Sequence, residues 1–295
     1  MKIALVVNPV SGGKHAKNKI PWVINSLENR GVEADVYLSR YKGHIRKIAR
    51  DLNLSEYEAV AAMGGDGTNF HMINGLLERR DPDQLPPLAV LPAGSGNSFA
   101  RDLDILSLEQ GIEAIARNAP RPVDLLCFSR EKPCFYFVNL MGLGFVTDVA
   151  RTAERFKRFG DFSYVLGILY RVLFLKSVSM ELEVDGQCFS GPNCFVEFCN
   201  SRYTGGNMLM APGARIDDGL MDIIIAGPMS RKRLVQSLPR IYSGTHVRMG
   251  EVLCIRGKNA RIRTRTPKAL LPDGEIWEST PGTVTIMAEK LKYLS

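Results

Sequence analysis

Strand-like and helix-like segments alternate along the first 125 residues. Short, nearly continuous apolar runs such as IALVVNP and AVAAMGG are typical of buried strands, and the segments between such runs have helical spacing. The spacing predicts helices over 17–30, 44–52 and 68–80. This alternation predicts a doubly wound α/β domain, whose parallel sheet would bind a ligand at the carboxyl ends of its strands.

The pattern changes after Val123. Apolar and acidic residues alternate over 180–184, and the following pair, Asp185 and Gly186, favours a two-residue hairpin turn. More strand-like segments follow with little helix between them, except over 151–176, where a helical segment is predicted. The second half is therefore predicted to be a mostly antiparallel β domain.

Length and composition agree with a folded protein of two domains, since 295 residues with 45% hydrophobic content can build two cores. We expect an α/β domain at 1–123, to which the tail at about 289–295 returns, and a β domain at 124–288. The apolar start of the chain is too short for a secretion signal and is interpreted as the first strand. The longest apolar run, 164–175, is too short to cross a bilayer.

The net charge and the cysteines indicate which partners and which cellular compartment to expect. A formal net charge of +7 favours an anionic partner, which could be a nucleotide, a nucleic acid or a membrane surface. No nucleic-acid partner is expected, because no nucleic-acid-binding signature is present and the basic residues are not interleaved with aromatic ones. Six cysteines without a CxxC pair are interpreted as reduced, buried thiols of a cytoplasmic protein.

Three predicted strands end in glycine-rich turns, NPVSGG, MGGDG and LPAGSG. Backbone N–H groups of such turns bind phosphate where the turn opens a helix, and Thr68 is expected to cap the helix after the second turn. Asp66 is unusual there, because a carboxylate cannot cradle a phosphate. It could hold Mg²⁺, orient a water or accept a proton, or it could be an ordinary turn residue.

Five motifs occur in the order and spacing of one enzyme family, and they are NPVSGG (8–13), GGDGT (64–68), LPAGSGNSFARDL (91–103), APGARIDDGLMD (211–222) and LPDGE (271–275). Over essentially its whole length the chain resembles the diacylglycerol kinase catalytic-domain family, which includes bacterial soluble lipid kinases, sphingosine kinases and ceramide kinases. The stretch 139–167 is more similar to the sphingoid-kinase branch. The resemblance implies ATP in a cleft between an α/β ATP-binding domain (1–123) and a C-terminal antiparallel β-sandwich domain (124–288) that binds the lipid.

The resemblance also implies which residues bind the nucleotide. By motif match they are Asn8, Ser11, Gly12, Ser39, Gly65, Asp66, Gly67, Thr68, Ser95 and Asn97. Lys14 lies near them in sequence but is hard to align. Ser39 and Ser95 could instead serve ordinary turn chemistry.

Phosphoryl transfer to a lipid hydroxyl is implied to use Glu275 of the DGE motif as general base, with Asp66 as the other candidate. DGE could also be only a hairpin turn with a solvated glutamate. Asp148 aligns with an acidic residue that contacts the substrate head group in sphingosine kinases, and its alternative role is that of an acid at a helix N-terminus.

A structural Mg²⁺ site is also implied, with the carbonyls of Arg215 and Leu220 and the side chain of Asp218 as ligands. Asp217 and Asp222 are less favoured as ligands. Together with the nucleotide this predicts ATP and Mg²⁺ as cofactors.

A peripheral contact with the membrane is expected, since the acceptor is a lipid. Basic and aromatic residues could form an interfacial patch, namely Arg151, Arg155, Lys157 and Arg158 with Phe156, Phe159 and Phe162. Arg261, Arg263 and Arg265 on one face of a strand would add positive charge. Either set could instead be a solvated face. The partners expected are thus a lipid substrate and a membrane, and a homodimer is left open.

Two other functions compete with a lipid kinase. Nicotinamide-dinucleotide kinases share GGDGT but lack the third turn motif, and a catalytically inactive lipid- or nucleotide-binding module would not need both Asp66 and Glu275. A P-loop enzyme is excluded because the GxxxxGK[ST] motif is absent from the sequence.

Overall fold

A computed structural model describes residues 1–13, 15–79, 84–130, 135–153 and 163–295. The chain divides into two compact units, and the C-terminal segment belongs to the same unit as the N-terminal part of the chain. Unit 1 comprises Met1–Val123 with Glu289–Ser295, and unit 2 comprises Asp124–Ala288.

The strands in chain order are β1 (Lys2–Val7), β2 (Glu33–Leu38), β3 (Ala59–Gly64), β4 (Leu88–Pro92), β5 (Pro120–Ser129), β6 (Phe135–Phe137), β7 (Leu140–Gly144), β8 (Val178–Val184), β9 (Gln187–Asn193), β10 (Phe195–Cys199), β11 (Tyr203–Thr204), β12 (Met208–Leu209), β13 (Met221–Ala226), β14 (Val252–Gly257), β15 (Asn259–Thr264), β16 (Ala269–Pro272), β17 (Trp277–Ser279) and β18 (Gly282–Leu294). The α-helices are α1 (His15–Glu28), α2 (His44–Asp51), α3 (Asp66–Leu77), α4 (Ser98–Asp102), α5 (Leu108–Arg117), α6 (Phe145–Ala153), α7 (Ser163–Val172) and α8 (Arg231–Tyr242).

Unit 1 is built on a parallel sheet. Its strand order is β2-β1-β3-β4, and the end of β18 adds a further parallel strand beside β4 through Tyr293 and Leu88. All residues of β3 are buried, as expected of a strand covered on both faces. Apolar residues of β1, β3 and β4 form one core with α1 and α5.

The described residues of unit 2 form two larger antiparallel sheets and the two-stranded sheet β11-β12. Of the two larger sheets, one has the order β18-β15-β8-β9 and the other β14-β13-β10-β7-β16-β17. The predicted hairpin is present, since Asp185 (φ 45°) and Gly186 (φ 87°) form the turn between β8 and β9. Residues of both sheets line one cavity of about 470 Å³, among them Met180 and Leu182 from the first sheet and Val196 from the second. The predicted fold class, an α/β domain followed by an antiparallel β-sandwich domain, is confirmed.

Helices cover part of the second sheet of unit 2. Helical structure begins at Phe145, earlier than the predicted start at residue 151, and α7 lies within the predicted segment 151–176. Residues 154–162 of that segment lie outside the described residues. Side chains of α6, α7 and α8 share one apolar core with β7, β10 and β13. No helix within the described ranges has both the length and the apolar character needed to cross a bilayer.

The cysteines differ from the expectation of six reduced, buried thiols. Cys127 is disulfide-bonded, and it lies in β5, which forms an antiparallel pair with β6. Cys194 and Cys199 are free and buried, as expected. Cys188 and Cys254 are free but exposed, because β9 and β14 are the outermost strands of their sheets.

Candidate active site

The carboxyl ends of β1, β2, β3 and β4 bring the predicted nucleotide-binding turns to one edge of the sheet in unit 1. The N–H of Asn8 donates to the carbonyl of Met63 (3.0 Å), and the N–H of Ser39 donates to the carbonyl of Val7 (2.9 Å). The turn after β4 is joined to β3, because the N–H of Ala93 donates to the carbonyl of Gly64 (2.9 Å). Parallel strands thus place the residues after all four strands side by side.

Two glycines let these turns approach one another. A Cβ atom on Gly12, which has φ 58°, would lie 2.6 Å from the carbonyl oxygen of Ala93. A Cβ atom on Gly94 would lie 2.5 Å from the Cα of Gly65. Because no larger residue fits, the three turns form a cradle lined by main chain, which suits the phosphate groups of a nucleotide.

Thr68 does not cap the helix, contrary to the expectation. α3 begins at Asp66, and Gly65 is its N-cap because its backbone is extended there. Thr68 lies within the first helical turn of α3, where its N–H donates to the carbonyl of Gly65 (2.9 Å). Its hydroxyl accepts a hydrogen bond from Asn8 Nδ2 (3.4 Å), so Thr68 connects α3 to the glycine-rich turn after β1.

The carboxylate of Asp66 caps a different helix. Its Oδ2 accepts the N–H of Ser98 (2.9 Å) and its Oδ1 accepts the N–H of Phe99 (3.0 Å), at the start of α4. Burial raises the pKa of Asp66, and the two backbone N–H groups oppose that rise. The negative charge also lies at the N-terminus of α3, where a helix dipole favours it. Asp66 therefore ties the central turn to the third turn.

The third turn is closed by its own asparagine. Asn97 has φ 53°, its Oδ1 accepts the N–H of Gly94 (3.0 Å), and its Nδ2 donates to the carbonyl of Gly94 (2.7 Å). Ser95 is exposed and Ser39 is half-buried. Lys14 lies outside the described residues.

In unit 2 the DGE motif forms the turn between β16 and β17. Asp273 (φ 45°) and Gly274 (φ 84°) have left-handed backbones, as in a hairpin turn. The carboxylate of Asp273 is buried and accepts the backbone N–H groups of residues 138, 139 and 140 at 3.0–3.2 Å. Glu275 is half-buried, and its N–H donates to the carbonyl of Pro272 (2.8 Å). The turn that carries Glu275 is thus held firmly against the start of β7.

The loop with the expected Mg²⁺ ligands is rich in carboxylates. Asp218 Oδ1 accepts the N–H of Leu220 (3.1 Å), and the N–H of Gly219 donates to Asp124 Oδ2 (2.7 Å). Asp222 Oδ1 pairs with Arg256 Nε (3.0 Å), whereas Asp222 Oδ2 is buried without a hydrogen-bond partner.

A cation fits the chemistry of this loop. Burial raises the pKa of Asp222, Arg256 opposes the rise, and the negative charge of Asp218 adds to it. This part of unit 2 therefore has more carboxylate oxygens that can accept a hydrogen bond or bind a cation than it has donors for them. In the ranges that the structure describes, no three His, Cys, Asp or Glu side chains are grouped as metal ligands. The expected site does not need such a group, because two of its ligands, from Arg215 and Leu220, are carbonyl oxygens.

Asp148 lies in the first turn of α6 with its side chain exposed. That position agrees with the helix-terminal role that the sequence left open. Its carbonyl oxygen accepts hydrogen bonds from Thr152 Oγ1 (2.9 Å) and from Arg171 Nε (3.2 Å), which connect α6 to α7.

Most of the basic and aromatic patch predicted for membrane contact lies outside the described residues, namely Arg155, Phe156, Lys157, Arg158, Phe159 and Phe162. Arg151 is exposed. On β15, Arg261 lies opposite Glu183 and Arg263 lies opposite Glu181 on β8. These acidic neighbours reduce the positive charge that the arginines were expected to add.

Sequence reasoning did not identify several residues around these turns. It did not identify the N–H groups of Ser98 and Phe99 as partners of Asp66, the role of Asp273 as a clamp, or Asn69, which lies beside Asp66. One signal was available for Asn69, because it lies three positions after Asp66 at the start of a helix and residues at that spacing lie on one face.

Two family descriptions match the chain in succession. "Diacylglycerol kinase catalytic domain" matches residues 2–128. "YegS C-terminal NAD kinase beta sandwich-like domain" matches residues 139–295.

Individual relatives agree with these matches. A diacylglycerol kinase of Bacillus subtilis (strain 168) is 25% identical over 282 residues, which is 94% of this chain and 91% of that protein. Sphingosine kinase 1 of Arabidopsis thaliana is 25% identical over 83% of this chain and 61% of that protein. A solved structure described as a diacylglycerol kinase from Bacillus anthracis str. Sterne has a TM-score of 0.75 at 19% identity, covering 99% of this chain and 96% of the other, and it supports the fold.

Proposed function

The chain belongs to the diacylglycerol kinase catalytic-domain family and is a lipid kinase, and from this premise we propose that it transfers the γ-phosphoryl group of ATP to a hydroxyl group of a diacylglycerol-like or sphingoid lipid at a membrane surface. The observation that carries the proposal is the junction of three glycine turns at one edge of the parallel sheet, where Asp66 ties the second turn to the third and Thr68 connects α3 to the turn after β1.

The main-chain cradle of unit 1 is suited to the phosphates of ATP. Asn8, Gly12 and Gly65 contribute to it, and the N-terminus of α3 adds a favourable dipole. Phosphoryl transfer depends mainly on positioning and on stabilising negative charge. These residues would therefore bind the nucleotide and hold its phosphates in position, and they need not take part in covalent chemistry.

Glu275 is the better candidate for the base that accepts the proton of the lipid hydroxyl. It is half-buried and lies on a turn that Asp273 clamps. Both carboxylate oxygens of Asp66 accept backbone N–H groups, which stabilise the charged form of Asp66. Asp66 keeps an unused lone pair and stays the alternative. A bound Mg²⁺ would supply positive charge at the loop of Arg215, Asp218 and Leu220, where the buried oxygen of Asp222 has no partner.

An exposed apolar surface on unit 2 supports access to lipid. We define the α7 surface as Leu169, Tyr170, Leu173 and Phe174, which are 47%, 44%, 59% and 55% exposed. Arg171 and Lys176 lie beside it, and no acidic residue occurs over 163–180. Exposed apolar groups flanked by cations are typical of surfaces that enter the interfacial region of a bilayer. Asp148, on the neighbouring α6, is proposed to contact the substrate head group.

The test is transfer of label from radiolabelled ATP to diacylglycerol, monoacylglycerol, sphingosine, ceramide and phosphatidylglycerol in mixed micelles, with NAD as a soluble acceptor. Asp66→Ala and Glu275→Ala are the inactive variants, and Glu181→Ala is the matched control, because Glu181 is an exposed glutamate on β8. Label in one lipid that both variants lose and the control keeps supports the proposal and identifies the substrate.

Two other outcomes would replace the proposal. The β-sandwich match is described as NAD kinase-like, which keeps a soluble acceptor as an alternative, and label in NAD alone would establish it. Binding of nucleotide or lipid without any transfer would instead indicate a catalytically inactive binding module. A homodimer stays a prediction.

A further inference from the structure

Asn69 is a buried amide beside Asp66, and one of its ends has no partner. It is 4% exposed and lies three residues after Asp66 on α3, so both side chains lie on the same face of the helix. Asn69 Oδ1 accepts a hydrogen bond from the hydroxyl of Tyr293 (2.9 Å). Asn69 Nδ2 is buried without a hydrogen-bond partner.

Tyr293 determines which end of this amide faces Asp66. It is fully buried at the end of β18, and its ring packs edge-to-face against Phe99, with ring centroids 5.0 Å apart. Phe99 also supplies an N–H group to Asp66. Because the Tyr293 hydroxyl binds Asn69 Oδ1, the amide nitrogen is the end that remains for Asp66. The opposite orientation would point the amide oxygen toward a carboxylate, which is electrostatically unfavourable.

Asp66 and Asn69 line one small cavity of about 10 Å³, together with Asn97, Phe99 and residues of β3 and β4. A cavity of this volume is just large enough for one water molecule, and a buried water needs two or more polar partners. Asn69 Nδ2 offers donors, and the Asp66 carboxylate, with about four lone pairs, has one left beyond those that the N–H groups of Ser98 and Phe99 and the Ser98 side chain use.

We infer that Asn69 and Tyr293 are positioning residues for Asp66, and that they act through one water molecule that accepts a hydrogen bond from Asn69 Nδ2 and donates one to the Asp66 carboxylate. The carboxylate is then held from two sides, by α4 and by this water. The expected effect of this water on kcat rests on the proposed function, whereas the presence of the water does not.

The experiment compares Asn69→Leu and Tyr293→Phe with the wild type. Asn69→Leu removes the donor at nearly constant side-chain volume, and Tyr293→Phe removes the hydroxyl but keeps the ring against Phe99. The matched control is Tyr57→Phe, because Tyr57 is a buried tyrosine of the same unit whose hydroxyl donates to Asp35 (2.8 Å). Each protein is studied by high-resolution crystallography, by steady-state kinetics with the lipid that accepts label in the transfer assay, and by thermal unfolding.

We expect a water within hydrogen-bond distance of Asn69 Nδ2 and Asp66 in the wild type and none in Asn69→Leu. We also expect kcat to fall about tenfold in Asn69→Leu and by a smaller factor in Tyr293→Phe, since even a small misplacement of groups in an active site lowers the rate. The KM for ATP should change less than about twofold, because the cradle is main chain. Tyr57→Phe should lose stability but keep its kcat.

The inference is overturned if the wild type has no water at this position, or if Asn69→Leu keeps the kcat of the wild type. A loss of kcat in Tyr57→Phe equal to that in Tyr293→Phe would also overturn it, because the effect would then be one of general stability. Failure of the proposed function would look different: no variant would phosphorylate any lipid, while the water would still be present in the crystal.

Discussion

At the scale of single residues, Asp66 illustrates how partners decide the role of a side chain. A carboxylate inside a glycine turn is unexpected where phosphates are to bind, because like charges repel. The structure resolves this, since Asp66 directs its charge toward Ser98 and Phe99 at the start of α4. The same carboxylate therefore shapes the cradle, whether or not it also takes part in proton transfer.

Gly94 should be intolerant of even one added carbon atom. We predict that Gly94→Ala destabilises the protein by ~1–3 kcal/mol, as overpacking does, because its Cβ would lie 2.5 Å from the Cα of Gly65. The KM for ATP should rise about tenfold, equivalent to ~1.4 kcal/mol, because the two turns must separate. Urea denaturation and ATP titration measure the two effects.

Gly250→Ala is the control for this change, because a Cβ atom there would meet nothing within 4 Å. An unchanged KM for ATP in Gly94→Ala would contradict the prediction.

Glu197 should make the stability of the protein depend on pH. This residue of β10 is 3% exposed, its Oε2 has no hydrogen-bond partner, and burial raises its pKa from 4.5 to about 8. Between these two pH values the folded protein binds a proton that the unfolded chain releases. The stabilisation is therefore complete below the unfolded pKa and is lost as pH rises toward 8.

Glu197→Gln, which cannot ionise, tests this. Its free energy of unfolding, compared with that of the wild type, should increase by roughly 1.4 kcal/mol per pH unit between these limits. Urea unfolding at several pH values measures the difference, and Glu181→Gln, on the exposed face of β8, is the control. A difference that does not vary with pH would show that Glu197 is ionised in the folded state.

At the scale of elements, glycine positions and apolar spacing predicted the order of strands and helices better than their ends. α3 begins at Asp66, two residues before the expected start, because Gly65 adopts the extended N-cap backbone. α1 begins at His15, two residues before the expected start, and it contains Pro21 in its interior, where the missing N–H removes one i→i−4 hydrogen bond. Helix ends depend on a few local hydrogen bonds, whereas the pattern of a whole helix is averaged over many residues.

The α7 surface should be required for membrane binding. We predict that Leu173→Ser with Phe174→Ser lowers binding to lipid vesicles about tenfold or more, since each large apolar side chain contributes roughly 1.5–3 kcal/mol when fully buried. Vesicle flotation measures binding, and activity toward a water-soluble short-chain lipid should be retained.

Leu106→Ser is the matched control, because Leu106 is 62% exposed in unit 1. Equal losses in both variants would reject α7 as a specific docking surface.

At the scale of the whole molecule, the net charge of +7 would add a long-range electrostatic attraction to the proposed membrane association. We predict that binding to anionic vesicles weakens as salt rises from 0.1 M to 1 M, where the screening length falls from about 10 Å to about 3 Å. Binding to neutral vesicles should change little. Flotation at the two salt concentrations tests this, and salt-independent binding to anionic vesicles would mean that apolar contacts alone hold the protein.

The sequence by itself determined the fold class and the family, because both rest on local features. Period-two and helical spacing predict strands and helices, and glycine turns must occur where the backbone needs them. The positions of Asn8, Gly65 and Glu275 could be read from motifs for the same reason.

Tertiary structure alone decided the partners of the charged and polar groups. Asp66 binds the N–H of a residue 32 positions away, Asp273 one 134 positions away, and Asn69 the hydroxyl of Tyr293, 224 positions away. No local pattern encodes such pairs, because they depend on which strands become neighbours and on how deeply each group is buried. For the same reason the raised pKa of Glu197 could not be predicted from a strand that otherwise has the sequence of an apolar core.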